Sequence, residues 1–180
     1  MLYDTLVNNH KTNDMATITL GGNEIHTSGD LPKVGNKAPD FELTTADLKS
    51  KTLEDFKGKR VIMNIFPSID TDTCATSVRN FNKRATELDN TTVLCISRDT
   101  PFAQKRFAND EEINNIVNLS DVRDGSFGKT YGLDMVDGAM KGFHSRAVVV
   151  LDTDGTVIYN EQVPEIADEP NYLEALKSLL

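Results

Sequence analysis

Apolar residues fall along this chain in two rhythms. Val61-Ile-Met-Asn-Ile-Phe66 and Thr92-Val-Leu-Cys-Ile96 are short, nearly continuous apolar runs. Runs of that kind mark strands covered on both faces. Between them Val78, Phe81, Ala85 and Leu88 recur at spacings of three, four and three. That spacing predicts a helix with one buried stripe. Pro101 to Ala108 predicts a second helix with proline in its first turn. Asn115 to Leu119 predicts a further strand, and Phe127 to Tyr131 a helical turn closed by Gly132. Arg146 to Leu151 and Thr156 to Tyr159 flank Asp154-Gly155, a hairpin signal. Glu169 to Leu180 predicts a terminal helix, with Tyr172, Leu173, Leu176, Leu179 and Leu180 on its apolar side. Upstream, Thr17–Leu20 and Glu24–Thr27 flank Gly21-Gly22 and predict a small hairpin. Lys33 to Pro39 reads as a loop, Phe41 to Thr45 as a short strand, and Thr52 to Phe56 as a single helical turn.

Strand–helix–strand–helix–strand, then a hairpin and a last helix, is an α/β order. It predicts a central, mostly parallel sheet with an antiparallel edge, helices on both faces and an extra N-terminal β-hairpin. Residues 1–15 are polar, lack the basic start and apolar core of a signal peptide, and are expected to be a disordered arm. The folded domain is expected over residues 16–180. The longest apolar runs are about six residues, against the ~20 needed to span a bilayer. The net charge of −9 opposes nucleic acid and anionic membrane surfaces alike. A cytoplasmic location follows as the default, and thiols stay reduced there.

Two cysteines are too few for a disulfide scaffold or a four-cysteine zinc site. They differ in setting. Cys74 closes the loop Pro67-Ser-Ile-Asp-Thr-Asp-Thr and opens the striped helix. Unpaired N–H groups and the positive dipole end there favour a thiolate. Thr71, three residues earlier, can bring its hydroxyl near that sulfur, and Pro67 can shield one side of the site. Cys95 lies inside an apolar strand and reads as a buried spacer. Arg146, judged by residue type alone, suits a surface ion pair at a strand start. The histidines His10, His26 and His144 are far apart in sequence, and His144 reads as a solvated loop residue.

Pro67, Thr71 and Cys74 match the P-x-x-x-T-x-x-C signature of the peroxiredoxins. The run Ile65 to Ala75, with Thr100-Pro-Phe-Ala-Gln-Lys-Arg-Phe107 and Arg146-Ala-Val-Val-Val, resembles the bacterial thiol peroxidase branch of that superfamily. The likeness extends from Ala16 to Leu180 and implies a thioredoxin-like fold. It implies that Cys74 attacks hydrogen peroxide or an alkyl hydroperoxide and becomes a sulfenic acid. Thr71 and Arg146 would hydrogen-bond the sulfur and the peroxide, and Pro67 would screen the pocket. Donors fixed along the breaking O–O bond stabilise charge as it moves. The resemblance further implies no metal or cofactor, thioredoxin or another thiol as reductant, and a homodimer. One position departs from the pattern. The branch carries a resolving cysteine after the Arg-Phe pair, and Ala108 stands there. An internal disulfide is therefore not expected: either the chain is a one-cysteine version whose sulfenic acid an external thiol resolves, or Ala108 is an engineered replacement of the resolving cysteine.

Two readings from other classes compete. Asp152-Thr-Asp154-Gly-Thr156 mimics the D-x-D-G-T signature of aspartate-nucleophile phosphatases, with Asp70-Thr-Asp72-Thr as a weaker echo. Only 24 residues follow Thr156, too few for that fold's remaining elements, and an Asp-Gly turn accounts for the match. A redox-sensing or binding module would keep a sensitive Cys74 but turn over slowly. With no Cys-x-x-Cys present, dithiol exchange is not expected.

Overall fold

The computed structural model describes residues 15–180. The arm expected over residues 1–15 lies outside the described residues apart from Met15. The chain runs β1 (Thr17–Leu20), β2 (Asn23–His26), β3 (Glu42–Thr44), β4 (Ser50–Thr52) and a 3-10 turn (Leu53–Phe56). It continues through β5 (Arg60–Ile65), α1 (Asp72–Ala85), β6 (Thr91–Ser97), α2 (Pro101–Asp110) and β7 (Val117–Ser120). It closes with α3 (Ser126–Thr130), β8 (Ala147–Leu151), β9 (Val157–Gln162) and α4 (Tyr172–Lys177).

Seven strands form one sheet in the order β4-β3-β7-β6-β5-β8-β9, and β1 pairs with β2 apart from it. The parallel pairings expected at the centre are those of β5 with β6 and of β6 with β7. Antiparallel strands flank them on both sides, where the pattern pointed to one edge only. The additional flank is β3 with β4. Residues 50–52 are the polar stretch Ser-Lys-Thr, and a short polar edge strand has no apolar rhythm to announce it.

The apolar runs have the cause inferred for them. Ile62, Val93, Val148 and Val150 pack with Val78, Phe81 and Phe107 from α1 and α2 on one face. Met63, Leu94, Ile96 and Val149 pack with Phe41, Phe127 and Tyr131 on the other. Both faces of the central strands are thus dry, and each strand alternates between two apolar layers. Burial at about 25 cal/mol per Å² makes these layers the main source of stability.

Element ends follow local chemistry. Gly21 and Gly22 take positive φ in the β1–β2 turn, as tight hairpins need. The last helix starts three residues later than its apolar pattern suggested. Asn171 caps it by accepting from Glu174 N at 3.2 Å, and Pro170 precedes the cap. β7 starts two residues later than expected because Asn82 Oδ1 accepts from the backbone of Asn114 and Asn115 at 3.2 and 2.8 Å.

One expectation fails clearly. His144 is fully buried, not solvated. Its Nε2 meets Asp121 Oδ2 at 2.9 Å, and Asp121 also accepts from the N–H groups of Phe127 (3.2 Å) and Gly128 (3.0 Å). Arg98 Nη2 donates to Asp134 beside it at 2.7 Å. A polar cluster with its own partners can be buried where a lone histidine could not. Gly128 is what lets the cluster close. A Cβ there would overlap the Asp134 carboxylate and sit 2.9 Å from His144 Nε2. Gly128→Ala is expected to lower stability by about 1–3 kcal/mol through overpacking, read as a lower urea midpoint. An unchanged midpoint would mean that the cluster tolerates displacement.

Candidate active site

The site forms where three elements converge at the carboxyl end of the parallel strands, the usual crevice of open α/β sheets. β5 ends at Ile65, and the chain passes through buried Phe66 and Pro67 into a loop. Asp99, just beyond β6, holds that loop. Its carboxylate accepts from Ser68 Oγ (2.7 Å), Ile69 N (2.7 Å) and Ser97 Oγ (2.6 Å). Thr71 is the residue before α1 and is exposed. Its hydroxyl donates to Ser68 O at 3.0 Å and its carbonyl accepts from Ala75 N at 2.9 Å. Cys74 is therefore the third residue of α1, inside the first turn and with no exposed surface.

Arg146 reaches the sulfur from the opposite direction, one residue before β8. Its Nη2 donates to Cys74 Sγ at 3.5 Å and its Nε to Ile166 O at 2.8 Å. Among the described residues its Nη1 has no partner. The guanidinium is 2% exposed, so it is a buried cation and not the surface ion pair that its residue type suggested. Arg146 and Cys74 are thus brought together. Pro67 is buried at the loop start, and the Thr71 hydroxyl is engaged with Ser68 instead of the sulfur.

Cys95 sits at the centre of β6, opposite Asn64 of β5. It is fully buried, and desolvation pushes its thiol up to about 12 although Asn64 Nδ2 donates to it at 3.6 Å. Asn64 Nδ2 also donates to Ser77 Oγ at 3.1 Å, and Ser77 Oγ donates to Cys74 O at 2.8 Å. A polar spine therefore runs beneath the first turn of α1. Ala108 lies half-buried on α2 against the same apolar layer as both cysteines.

Asp99, Asn64 and Ser77 escaped the sequence reading. Asp99 had a usable signal, since Ser97 to Thr100 lies between a buried strand and a proline-led helix, at the crevice end of the sheet. Asn64 was visible as the one polar residue in an apolar run. Asp152 and Asp154 lie at the other end of the sheet, beyond the β8 end that pairs with the start of β5. Asp152 accepts from Thr153 N at 2.7 Å within the turn. Lys37 bonds Asp154 at 2.7 Å and, with Thr156, holds its carboxyl down near about 2. Among the described residues no cluster of three or more His, Cys, Asp or Glu side chains could hold a metal.

Comparison with known proteins places the chain in a family. The family model described as Redoxin matches residues 33–176. The chain is 54% identical over 165 residues to proteins named thiol peroxidase from Mycobacterium bovis and Mycobacterium tuberculosis, covering 92% of this chain and 99% of each relative. A peroxiredoxin-like protein from Aquifex aeolicus superposes with a TM-score of 0.85 at 38% identity, covering 92% of this chain and 97% of that one. A thiol peroxidase from Chromobacterium violaceum gives a TM-score of 0.83 at 23% identity over 91% of this chain and 94% of its own, a likeness of fold. Matched over most of its length, the chain belongs to the redoxin family, among the thiol peroxidases of the peroxiredoxin superfamily.

Proposed function

We propose that this chain reduces hydrogen peroxide and small alkyl hydroperoxides with Cys74 as the attacking sulfur. The observation that carries the reading is the buried Arg146 guanidinium at 3.5 Å from Cys74 Sγ, with one nitrogen unpartnered among the described residues. The thiolate attacks the terminal peroxide oxygen. An S–O bond forms as the O–O bond breaks, sulfur loses two electrons, and the leaving oxygen takes up a proton to depart as water or an alcohol. Negative charge moves from sulfur onto the leaving oxygen during this step. Arg146 Nη1 and Nη2, fixed beside that path in a dry site, stabilise the moving charge without reorganising. Pro67 walls the loop side. Thr71, whose hydroxyl donates to Ser68 O in the resting structure, serves as a second donor when it turns to the peroxide. No metal or cofactor is required, since sulfur carries both electrons.

The reductant is an external thiol, thioredoxin or another. It attacks the sulfenic acid, releasing water and leaving a mixed disulfide, and a second thiol frees Cys74. The setting of Cys95 supports this. A thiol pushed up to about 12 has almost no thiolate at neutral pH, and Cys95 lies within the central strand β6, not in the first turn of a helix. Ala108 offers no sulfur. We further propose a homodimer, and a cytoplasmic location, where both free cysteines would stay reduced.

Cys74→Ser is expected to abolish peroxide consumption in an assay coupled to excess thiol, with the fold retained. Activity above about a tenth of the parent would mean a different nucleophile. One equivalent of peroxide is expected to add the mass of one oxygen to the intact chain. A loss of two hydrogens would reveal an internal disulfide and overturn the external-thiol cycle. Cys95→Ala should lower stability by about 1 kcal/mol through lost packing and leave the rate within twofold. A strong rate loss in that variant would give Cys95 a direct part in turnover.

A further inference from the structure

The N-terminal hairpin carries none of the candidate site residues, yet it is tied to them through Glu165. Glu165 lies on the segment between β9 and α4 and is half-buried. Its carboxylate accepts from Thr19 Oγ1 (2.7 Å), Gly21 N (3.0 Å), Gly22 N (3.1 Å) and Ala167 N (3.2 Å). Three of those donors belong to β1 and its glycine turn. The backbones are also stitched together. Thr19 N donates to Pro164 O at 2.7 Å and Ile166 N to Thr19 O at 2.9 Å. Ile166 packs with Ile18, Ile25 and Met135 in a small core of its own. The donors hold the Glu165 carboxyl down near about 2, so it stays ionised at neutral pH.

The next two carbonyls along the chain point into the site. Ile166 O accepts from Arg146 Nε at 2.8 Å. Ala167 O accepts from the hydroxyl of Thr73, the residue before Cys74, at 3.0 Å. A guanidinium is planar, so fixing Nε fixes where Nη1 and Nη2 point.

We propose that Glu165 is a positioning residue for peroxide reduction: clasped by the hairpin turn, it holds Ile166 O where that carbonyl aims Arg146 at Cys74. This rests on the assignment of Arg146 above. The hairpin is then a buttress of the site, and loosening the clasp lets the guanidinium swing while the sheet stays intact.

The test is a double-mutant cycle on the second-order rate constant for Cys74 oxidation by hydrogen peroxide. Glu165→Ala is expected to slow oxidation about tenfold, and Glu165→Gln, which keeps an acceptor oxygen, to stay within about threefold of the parent. In an Arg146→Gln background the same Glu165→Ala change should cost less than about twofold, because the group it aims is gone. A merely structural clasp predicts otherwise. Glu165→Ala would then melt earlier but oxidise at the parental rate, or would lose the same factor in both backgrounds. Either result overturns the inference and leaves the Arg146 assignment standing. If Arg146→Gln alone oxidises at the parental rate, that assignment fails and the inference falls with it. Should Glu165→Ala not fold, Thr19→Val removes one donor and enters the same cycle, with a loss of about threefold confined to the Arg146 background expected.

Discussion

A single buried contact organises the candidate site of this molecule: the guanidinium of Arg146 against the sulfur of Cys74. A permanent cation removed from water is costly unless it is met by partners. The fold meets it from two sides. Ile166 O takes Nε, and Cys74 Sγ takes Nη2. Among the described residues the remaining nitrogen has no partner, and under the proposed function that donor is left for a bound peroxide. A group that is stabilised further when charge develops nearby contributes to the transition state more than to the resting state.

The rest of the architecture can be understood as fixing the two ends of that contact. The parallel strands β5 and β6 end in one crevice, and Asp99 beyond β6 ties down the loop that follows β5. The polar spine of Asn64 and Ser77 supports the Cys74 carbonyl from beneath. On the other side β8, buried at all five positions, delivers Arg146 from its leading end. His144 and Asp121 hold the residues just ahead of it. Ser145 Oγ donates to Gln162, and Gln162 Nε2 donates to Arg146 O at 2.9 Å. Neither end of the contact depends on an exposed flexible side chain.

Much of this was legible in the sequence, and the reasons differ by element. The core strands and α1 could be read because apolar periodicity reports burial directly. Cys74 could be read because a cysteine at a loop–helix junction has chemistry that packing alone does not explain. Pro67 and Thr71 could be read from their places in the loop before Cys74, and the family resemblance added Arg146. What stayed hidden was polar. Arg146 and His144 read as surface residues because burial of a charged or titratable side chain depends on partners distant in sequence. Asp121 lies 23 residues from His144, and Ile166 lies 20 residues from Arg146. The β4 edge stayed hidden because three polar residues give no rhythm. Glu165 was silent because its partners lie more than 140 residues away, in the hairpin.

The account turns on geometry at Arg146, not on its charge alone. Arg146→Lys keeps a positive charge but gathers its donors on one freely rotating nitrogen, losing the planar fork whose Nε holds Ile166 O while Nη2 faces the sulfur. The most direct measurement is the second-order rate constant of Arg146→Lys with hydrogen peroxide, taken by stopped flow on folded protein. The account predicts a fall of at least about tenfold, equivalent to about 1.4 kcal/mol of transition-state stabilisation. A lysine variant that reacts at the parental rate would contradict it.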